Sequence, residues 1–498
     1  MLQTYASGLM WFRRDLRTDD NAALARALRA CATVHGLFVF DRALLDGLPR
    51  ADRRVEFIRD SVQELDEALR RVGGPGHGLL LAHEDASTAV PRLARALGVQ
   101  AVFANHDDEP LAQERDERVR RRLADAGIAL HTFKDHVVFE RGELRTQAGR
   151  PYSVFTPYAR AWYAKLDDAD LQSFDPAQAP GRWGPRPAAL SGSVPSLEAL
   201  GFAPTRLRAT GVSPGASGAQ RTLQAFLRRI DGYEAQRDRP ALAATSGLGV
   251  HLRFGTVSIR RLVALARERA GAGAAAWLKE LVWREFFFQV LANFPQVGRG
   301  ASFRPEYDRI AWEQGALADA RFAAWCEGRT GYPLVDAAMR QLAATGFMHN
   351  RLRMVAASFL CKDLGVDWRR GEQWFALRLD DYELASNNGN WQWIASCGCD
   401  AQPWFRVFNP VTQSAKFDPA GEFIARWLPQ LAALPLALRH APWTARPVDL
   451  AAAGLALDRD YPRPIVDHAQ ARQETLRRYA VVRDAPAGGL PARPRARP

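Results

Sequence analysis

Between residues 8 and 140 the chain alternates short apolar runs with stretches whose apolar residues recur at helical spacing. GLMWF (8–12), VHGLFVF (34–40), GLLLAHE (78–84), AVFAN (101–105) and ALHTF (129–133) have the length and composition of strands. Between two of them, Arg53–Arg71 (RRVEFIRDSVQELDEALRR) has the three-to-four-residue apolar repeat of a helix packed on one face. Strand–helix alternation predicts a parallel sheet with helices on both faces, a Rossmann-like doubly wound α/β domain over residues 1–140. No GxGxxG follows the first run, so a dinucleotide fingerprint is absent.

From 141 to 215 the periodicity gives way to Pro, Gly and Ser (PAQAPGRWGPRP, SGSVPS, GVSPGASG), which predicts an interdomain linker. From 216 to 480 the pattern is almost wholly helical, an all-α domain in which Leu334–Thr345 and Leu352–Leu364 are expected to bury one face. Residues 481–498, containing the low-complexity DAPAGGLPARPRARP, read as a disordered tail. No internal repeat is present.

Composition narrows the class. A chain of 498 residues exceeds one ordinary core, and 47% apolar with 24% charged residues is a soluble, globular balance. No apolar run reaches the ~18 residues of a membrane span, and the short apolar patch at the start precedes its arginines, the reverse of a secretory signal. A cytoplasmic protein is expected. Five scattered cysteines suit reduced thiols better than a disulfide framework. CGC (397–399) reads as a turn, because no second Cys/His pair lies near it, and no metal is expected. The net charge is +12, and only five of the 67 basic residues are lysine. Guanidinium forks suit phosphate oxygens. The abundance of Ala, Gly and Pro gives genomic base composition equal weight, so charge alone does not establish a nucleic-acid partner.

The densest chemistry is DDYELASNNGNWQW (380–393), just downstream of TGFMHNRLRM (345–354). Acids and amides can hydrogen-bond the edge of a heteroaromatic ring, and indoles can stack on bases or pass electrons. Taken singly, each feature has an ordinary reading. Thr245-Ser246 is a helix N-cap, Glu280 and Arg284 an ion pair on one helix face, Asn387-Asn388-Gly389 a turn, and each tryptophan core packing. Together with WREFFF (283–288), TSGLG (245–249) and WFRRDLRTDDN (11–21), these motifs resemble the photolyase/cryptochrome family from about Leu9 to about His468. Within it the chain is most similar to class I cyclobutane pyrimidine dimer photolyases.

The resemblance implies an FAD site. Thr245, Ser246, Gly247, Leu248 and Gly249 match the segment on the FAD pyrophosphate, with Gly249 where the family has serine. Tyr233, Trp277 and Arg284 match flavin-pocket positions, and Asp381 and Glu383 stand where two aspartates are usual. Asn387 matches the residue facing flavin N5, which is Asn in photolyases and commonly Asp in plant-type cryptochromes. Glu280, Trp283, Asn350, Met354 and Trp393 match the lesion contacts. Photolyases of the 6-4 photoproduct carry a histidine pair where Asn350 and Met354 stand, so the cyclobutane dimer is the expected substrate. Trp391, Trp368 and Trp312 match the tryptophan chain that re-reduces flavin, and Arg237, Arg351 and Gln413 match further DNA contacts. The implied activity is light-driven dimer repair in DNA by a monomer. The alternatives are a cryptochrome-type blue-light photoreceptor and a single-strand-specific repair enzyme. The N-terminal domain resembles the family's antenna domain. In NHDDEPLAQERD (105–116), Leu111-Ala112 replaces the Asn-Glu of folate-binding members, and with Arg253-Phe254 this favours a deazaflavin. An empty antenna pocket or another flavin are the other readings.

Overall fold

The computed structural model describes residues 5–74, 76–175, 182–190 and 192–482. Five strands, β1 (Tyr5–Phe12), β2 (Cys31–Asp41), β3 (Leu79–Glu84), β4 (Ala101–Asn105) and β5 (Ala129–Phe133), pair in parallel in the order β3-β2-β1-β4-β5. The expected α/β fold is therefore present, with a helical C-terminal region after it. Period-two alternation divides the side chains between two faces. Met10 and Phe12 join Phe38, Phe40, Val55 and Leu65 in one core, while Leu9 and Trp11 join Leu37, Val90, Val102 and Leu123 in the other. All four of these β1 side chains are buried, each contributing roughly 1.5–3 kcal/mol by leaving water. The strand order reverses between β1 and β4, and the loops after these strands carry Arg13–Asp15 and Asp107–Glu109.

By internal contacts the chain divides into two compact units. One comprises Met1–Gly298, Ala344–Phe347 and Phe375–Asn387; the other comprises Arg299–Ala343, Met348–Trp374 and Asn388–Pro498. The first holds the sheet together with the long helix Ala272–Asn293.

Parts of the 141–215 stretch are tied down rather than serving only as a linker. It carries the helix Phe155–Lys165, whose Tyr158 hydroxyl and Trp162 indole N–H donate to Glu285 at 3.1 and 2.6 Å. The backbone N–H groups of Val138 and Phe139 donate to the same carboxylate at 2.6 and 3.1 Å. Burial outweighs these four bonds and pushes the Glu285 carboxyl up to about 7. Farther along, Val34 of β2 bonds the backbone of Arg182 and Gly184 at 2.8 Å each. Pro, Gly and Ser density hid these anchors because they are made by isolated aromatics and backbone.

In the second unit the helix expected over Leu352–Leu364 runs Asn350–Ser358 and passes into a wide turn, Phe359–Asp363, with π-type bonding. Of the expected tail, Val481 and Val482 belong to a short turn, Ala480–Val482, and residues 483–498 lie outside the described residues. Among the described residues no helix is long and apolar enough to cross a membrane.

Candidate functional site

The expected cofactor residues all belong to the first unit, where the Thr245–Gly249 segment meets Asp381. Thr245 and Ser246 are half-buried, and the Ser246 Oγ accepts from the Leu248 N–H at 3.4 Å. Gly247 takes φ +68°, the left-handed region that a side chain disfavours. Gly249 lies against Asp381: a Cβ there would sit 2.5 Å from the Asp381 Oδ2. A side chain at 249 would therefore require the Asp381 carboxylate to shift. Tyr233 and Trp277, on different helices, meet through Phe226, with ring centroids 5.6 and 4.9 Å from it. Burial, then Glu280, pushes the Tyr233 hydroxyl up to about 12.

Beside this cradle a partly buried ion network occupies the sheet's switch point, where open α/β sheets usually bind ligands. Arg14 donates to Asp107 at 3.0 Å, to Glu109 at 3.2 Å, and to Glu383. Arg253 donates to Glu109 at 2.5 Å and to Glu383 at 3.2 Å. Arg284 bonds the His136 carbonyl at 2.7 Å and stands 4.0 Å from Glu383. Burial lowers the Arg284 guanidinium to about 10; Glu383 opposes the shift and Arg14 adds to it. Three guanidiniums thus share Glu383, and Arg284, the most weakly paired of them, stands where an anionic partner fits. Hydroxyls, an open glycine backbone, a half-buried cation and a carboxylate edge are the donor and acceptor set that a dinucleotide flavin requires. The residues present fit FAD.

Two of the ordinary readings do not hold. Glu280 does not pair with Arg284; it accepts from Arg237 at 2.6 Å, so two residues expected to touch DNA hold each other. Asn387-Asn388-Gly389 is not a turn. It lies inside the helix Leu384–Ile394, where the Asn387 N–H bonds the Glu383 carbonyl at 2.8 Å and Asn388 accepts from Gln392 at 2.9 Å. The i,i+4 amide pair satisfies the side chain that would otherwise compete for the backbone. Trp283 is half-buried and stacks on Phe155 at 3.5 Å with 6° between the rings. Phe155, Phe226, Arg14 and Arg253 were not anticipated in these roles.

The second unit carries the remaining candidates. His349 caps the helix Asn350–Ser358, accepting from the Arg351 N–H at 3.1 Å. Asn350 is exposed and Met354, one turn on, is half-buried, so the two share a face. Arg351 reaches the Met354 sulfur at 3.7 Å and lies 4.4 Å over Phe417, the last residue of the helix Pro410–Phe417 that bears half-buried Gln413. Trp393 is half-buried next to the 396–400 turn. In that turn Cys397 and Cys399 are buried, which pushes the Cys397 thiol up to about 12 and raises Cys399 as well.

Trp391 and Trp368 are each 2% exposed, and Trp312 is half-buried. Trp391 packs on Gly371, where a Cβ would meet its ring at 2.2 Å, one turn along the helix that begins at Trp368. Arg369 covers the Trp368 ring, its Cζ 4.7 Å from the centroid. Trp312 borders a surface cavity of about 530 Å³ together with Asp308, Glu313, Asp367, Arg369 and Arg370.

A family model described as DNA photolyase matches residues 8–180, and one described as the FAD binding domain of DNA photolyase matches residues 277–481. A deoxyribodipyrimidine photo-lyase from Vibrio cholerae is 39% identical over 484 residues, covering 95% of this chain and 98% of its own. A crystal structure of a bacterial class III photolyase from Agrobacterium tumefaciens superposes with TM-score 0.87 at 35% identity, over 97% of this chain and 99% of that one. An archaeal photolyase from Sulfolobus tokodaii, solved with two FAD molecules, superposes with TM-score 0.80 at 33% identity over 95% and 99%.

Proposed function

Because this chain belongs to the DNA photolyase family, we propose that it is a deoxyribodipyrimidine photo-lyase that uses light and bound FAD to reverse cyclobutane pyrimidine dimers in DNA. The observation that carries the reading is the convergence of Gly249-backed Asp381, half-buried Arg284 and the head of the Leu384–Ile394 helix in one compact unit.

FAD, when bound and reduced, supplies under blue light the electron that opens the cyclobutane ring. The protein's residues bind, orient and shield. Thr245, Ser246 and the backbone of Gly247–Gly249 receive the pyrophosphate, and Tyr233 and Trp277 wall the site. Arg284 places a positive charge beside the ring system, and Asn387 offers a neutral amide that adds no second negative charge. Trp283, braced by Phe155, and Trp393 supply flat walls for the flipped-out bases. Glu280 reads a pyrimidine edge, held in place by Arg237. Asn350 and Met354 complete the lesion contacts, and their replacement of a histidine pair supports the cyclobutane substrate over the 6-4 photoproduct. Arg237, Arg351 and Gln413 contribute to phosphate and backbone binding without sequence choice. Trp391, Trp368 and Trp312 deliver electrons from the surface when the flavin is oxidised. We further propose that the N-terminal sheet carries a light-harvesting chromophore, a deazaflavin ahead of folate, with a second flavin as the alternative that the archaeal relative suggests.

The test is anaerobic reduction of the FAD-loaded protein followed by illumination with duplex DNA bearing a thymine dimer. Light-dependent return of the thymines is expected. A protein that repairs only the 6-4 lesion, or neither, overturns the reading.

A further inference from the structure

We propose that Arg369 sets the direction of electron flow along the tryptophan chain by making Trp368 harder to oxidise than Trp312. The proposal rests on the reading of Trp391, Trp368 and Trp312 as the electron path. The Arg369 Cζ lies 4.7 Å from the Trp368 ring centroid, and the side chain is fixed on three segments at once. Its Nε donates to the Gly300 carbonyl at 2.6 Å, its Nη2 to Asp308 at 2.5 Å, and its Nη1 to Asp367 at 3.3 Å. It therefore has no free swing away from the indole.

The ion pair is oriented. Its positive end covers Trp368, which is 2% exposed. Its negative partners, Asp308 and Asp367, both belong to the cavity wall that also contains Trp312. The other cation of that wall faces elsewhere: Arg370 pairs with Asp319 at 2.9 Å and lies 4.3 Å over Phe322. A cation over an indole face stabilises the neutral ring and destabilises its one-electron-oxidised form, which is itself a cation. Among the described residues no cation lies over the ring of half-buried Trp312, which shares its wall with Asp308, Glu313 and Asp367, so it lacks that penalty.

In the step at issue one electron leaves the Trp312 ring and enters oxidised Trp368. Trp312 is oxidised, Trp368 is restored, and no bond is made or broken. Oxidised Trp312 can then lose its indole proton to water, because it is half-buried at the cavity. Buried Trp368 has no such outlet. Directionality thus has two parts, a potential step imposed by Arg369 and a proton exit available only at the outer ring. An added thiol in the medium later returns the electron to Trp312.

Flash photolysis of the FAD-loaded protein, following the absorbance of cationic and neutral tryptophan radicals, tests this. In the unaltered protein the long-lived species is expected to be the neutral radical. Trp312→Phe removes the proton exit, so the radical remains cationic and decays faster. Arg369→Gln removes the positive charge and keeps Trp312. The Trp368-to-Trp312 population ratio is expected to rise about tenfold, equivalent to ~59 mV for one electron, with a matching fall in neutral-radical yield. Arg369→Lys keeps the charge and is expected to restore most of the yield. Arg369→Met repeats the test if the glutamine variant does not fold. Unchanged radical kinetics in Arg369→Gln or Arg369→Met, with the Trp312→Phe effect intact, overturns the role of Arg369. Unchanged kinetics in Trp312→Phe overturns the electron path, and the proposal with it.

Discussion

Gly249→Ala is the sharpest probe of the cofactor cradle, because one methyl group is predicted to displace Asp381. The added Cβ would lie 2.5 Å from the Asp381 Oδ2, 3.1 Å from its Cβ and 3.2 Å from its Cγ. Ordinary contact begins near 3.4 Å, so the carboxylate must retreat by about 0.9 Å. Forcing a methyl group into such a contact costs about 1–3 kcal/mol. Residue 249 opens the helix Gly249–Arg253, where alanine's helix preference returns up to about 1 kcal/mol. Global stability should therefore fall by no more than about 2 kcal/mol. The cofactor pays differently. If Asp381 accepts a hydrogen bond from bound FAD, losing that charged contact costs about 1.5–3 kcal/mol, or roughly 10- to 150-fold in Kd. Gly249→Ser adds the family's hydroxyl, whose hydrogen bond returns only about 0.5–1.5 kcal/mol, so its Kd should lie between that of Ala and the unaltered protein. Titration of the apoprotein with FAD, read by flavin fluorescence and paired with thermal unfolding, measures both quantities. An alanine variant with unaltered Kd, or a serine variant that binds FAD more tightly than glycine does, refutes the claim that Gly249 admits Asp381 to the flavin edge.

Trp391→Phe is expected to abolish photoreduction of oxidised FAD while leaving FAD bound, measured as bleaching under blue light with a thiol donor. If Asn387 faces the flavin ring as proposed, Asn387→Asp is expected to slow full reduction and speed reoxidation in air, followed by absorbance. Arg237→Ala frees the Glu280 carboxylate that Arg237 now holds, so selectivity for the damaged duplex should fall; if Arg237 also meets a phosphate, the slope of log K against log salt should flatten by about one phosphate's worth. Glu285 gives a pH signature. Its folded value of about 7 lies above the ordinary 4.5, so the stability it confers is fully present below pH 4.5 and is lost as pH rises towards 7. Urea midpoints across that window should decline, and Glu285→Gln should flatten the decline. Glu285→Ala strands four donors and should cost at least about 4 kcal/mol.

The sheet was legible because each strand writes its own signal: the runs at 101–105 and 129–133 coincide with β4 and β5, and Arg53–Arg71 falls within the helix Arg53–Gly73. Motif residues close in sequence were legible for the same reason, since Asp381, Glu383 and Asn387 share one short segment. What joins them to the rest was not. Arg14 and Glu383 are 369 positions apart, and no local pattern announces an ion pair across that distance. Phe155 sat in a stretch dominated by Pro, Gly and Ser, which masked a helix defined by its buried aromatics. Asn387-Asn388-Gly389 carried a strong local turn preference, and burial of Trp391 and Ile394 on the following turns overrode it. Gly371 carried no signal at all, because its meaning lies in the Trp391 ring packed on it.

The central claim is that this chain reverses cyclobutane dimers with light. The most direct measurement presents the reduced, FAD-loaded protein with two duplexes of identical sequence, one bearing a cyclobutane thymine dimer and one a 6-4 photoproduct, in light and in darkness. Chromatography of the digested DNA should show thymine recovered from the first duplex, only in light, and nothing from the second. Recovery from the 6-4 duplex, or from neither in light, contradicts the account.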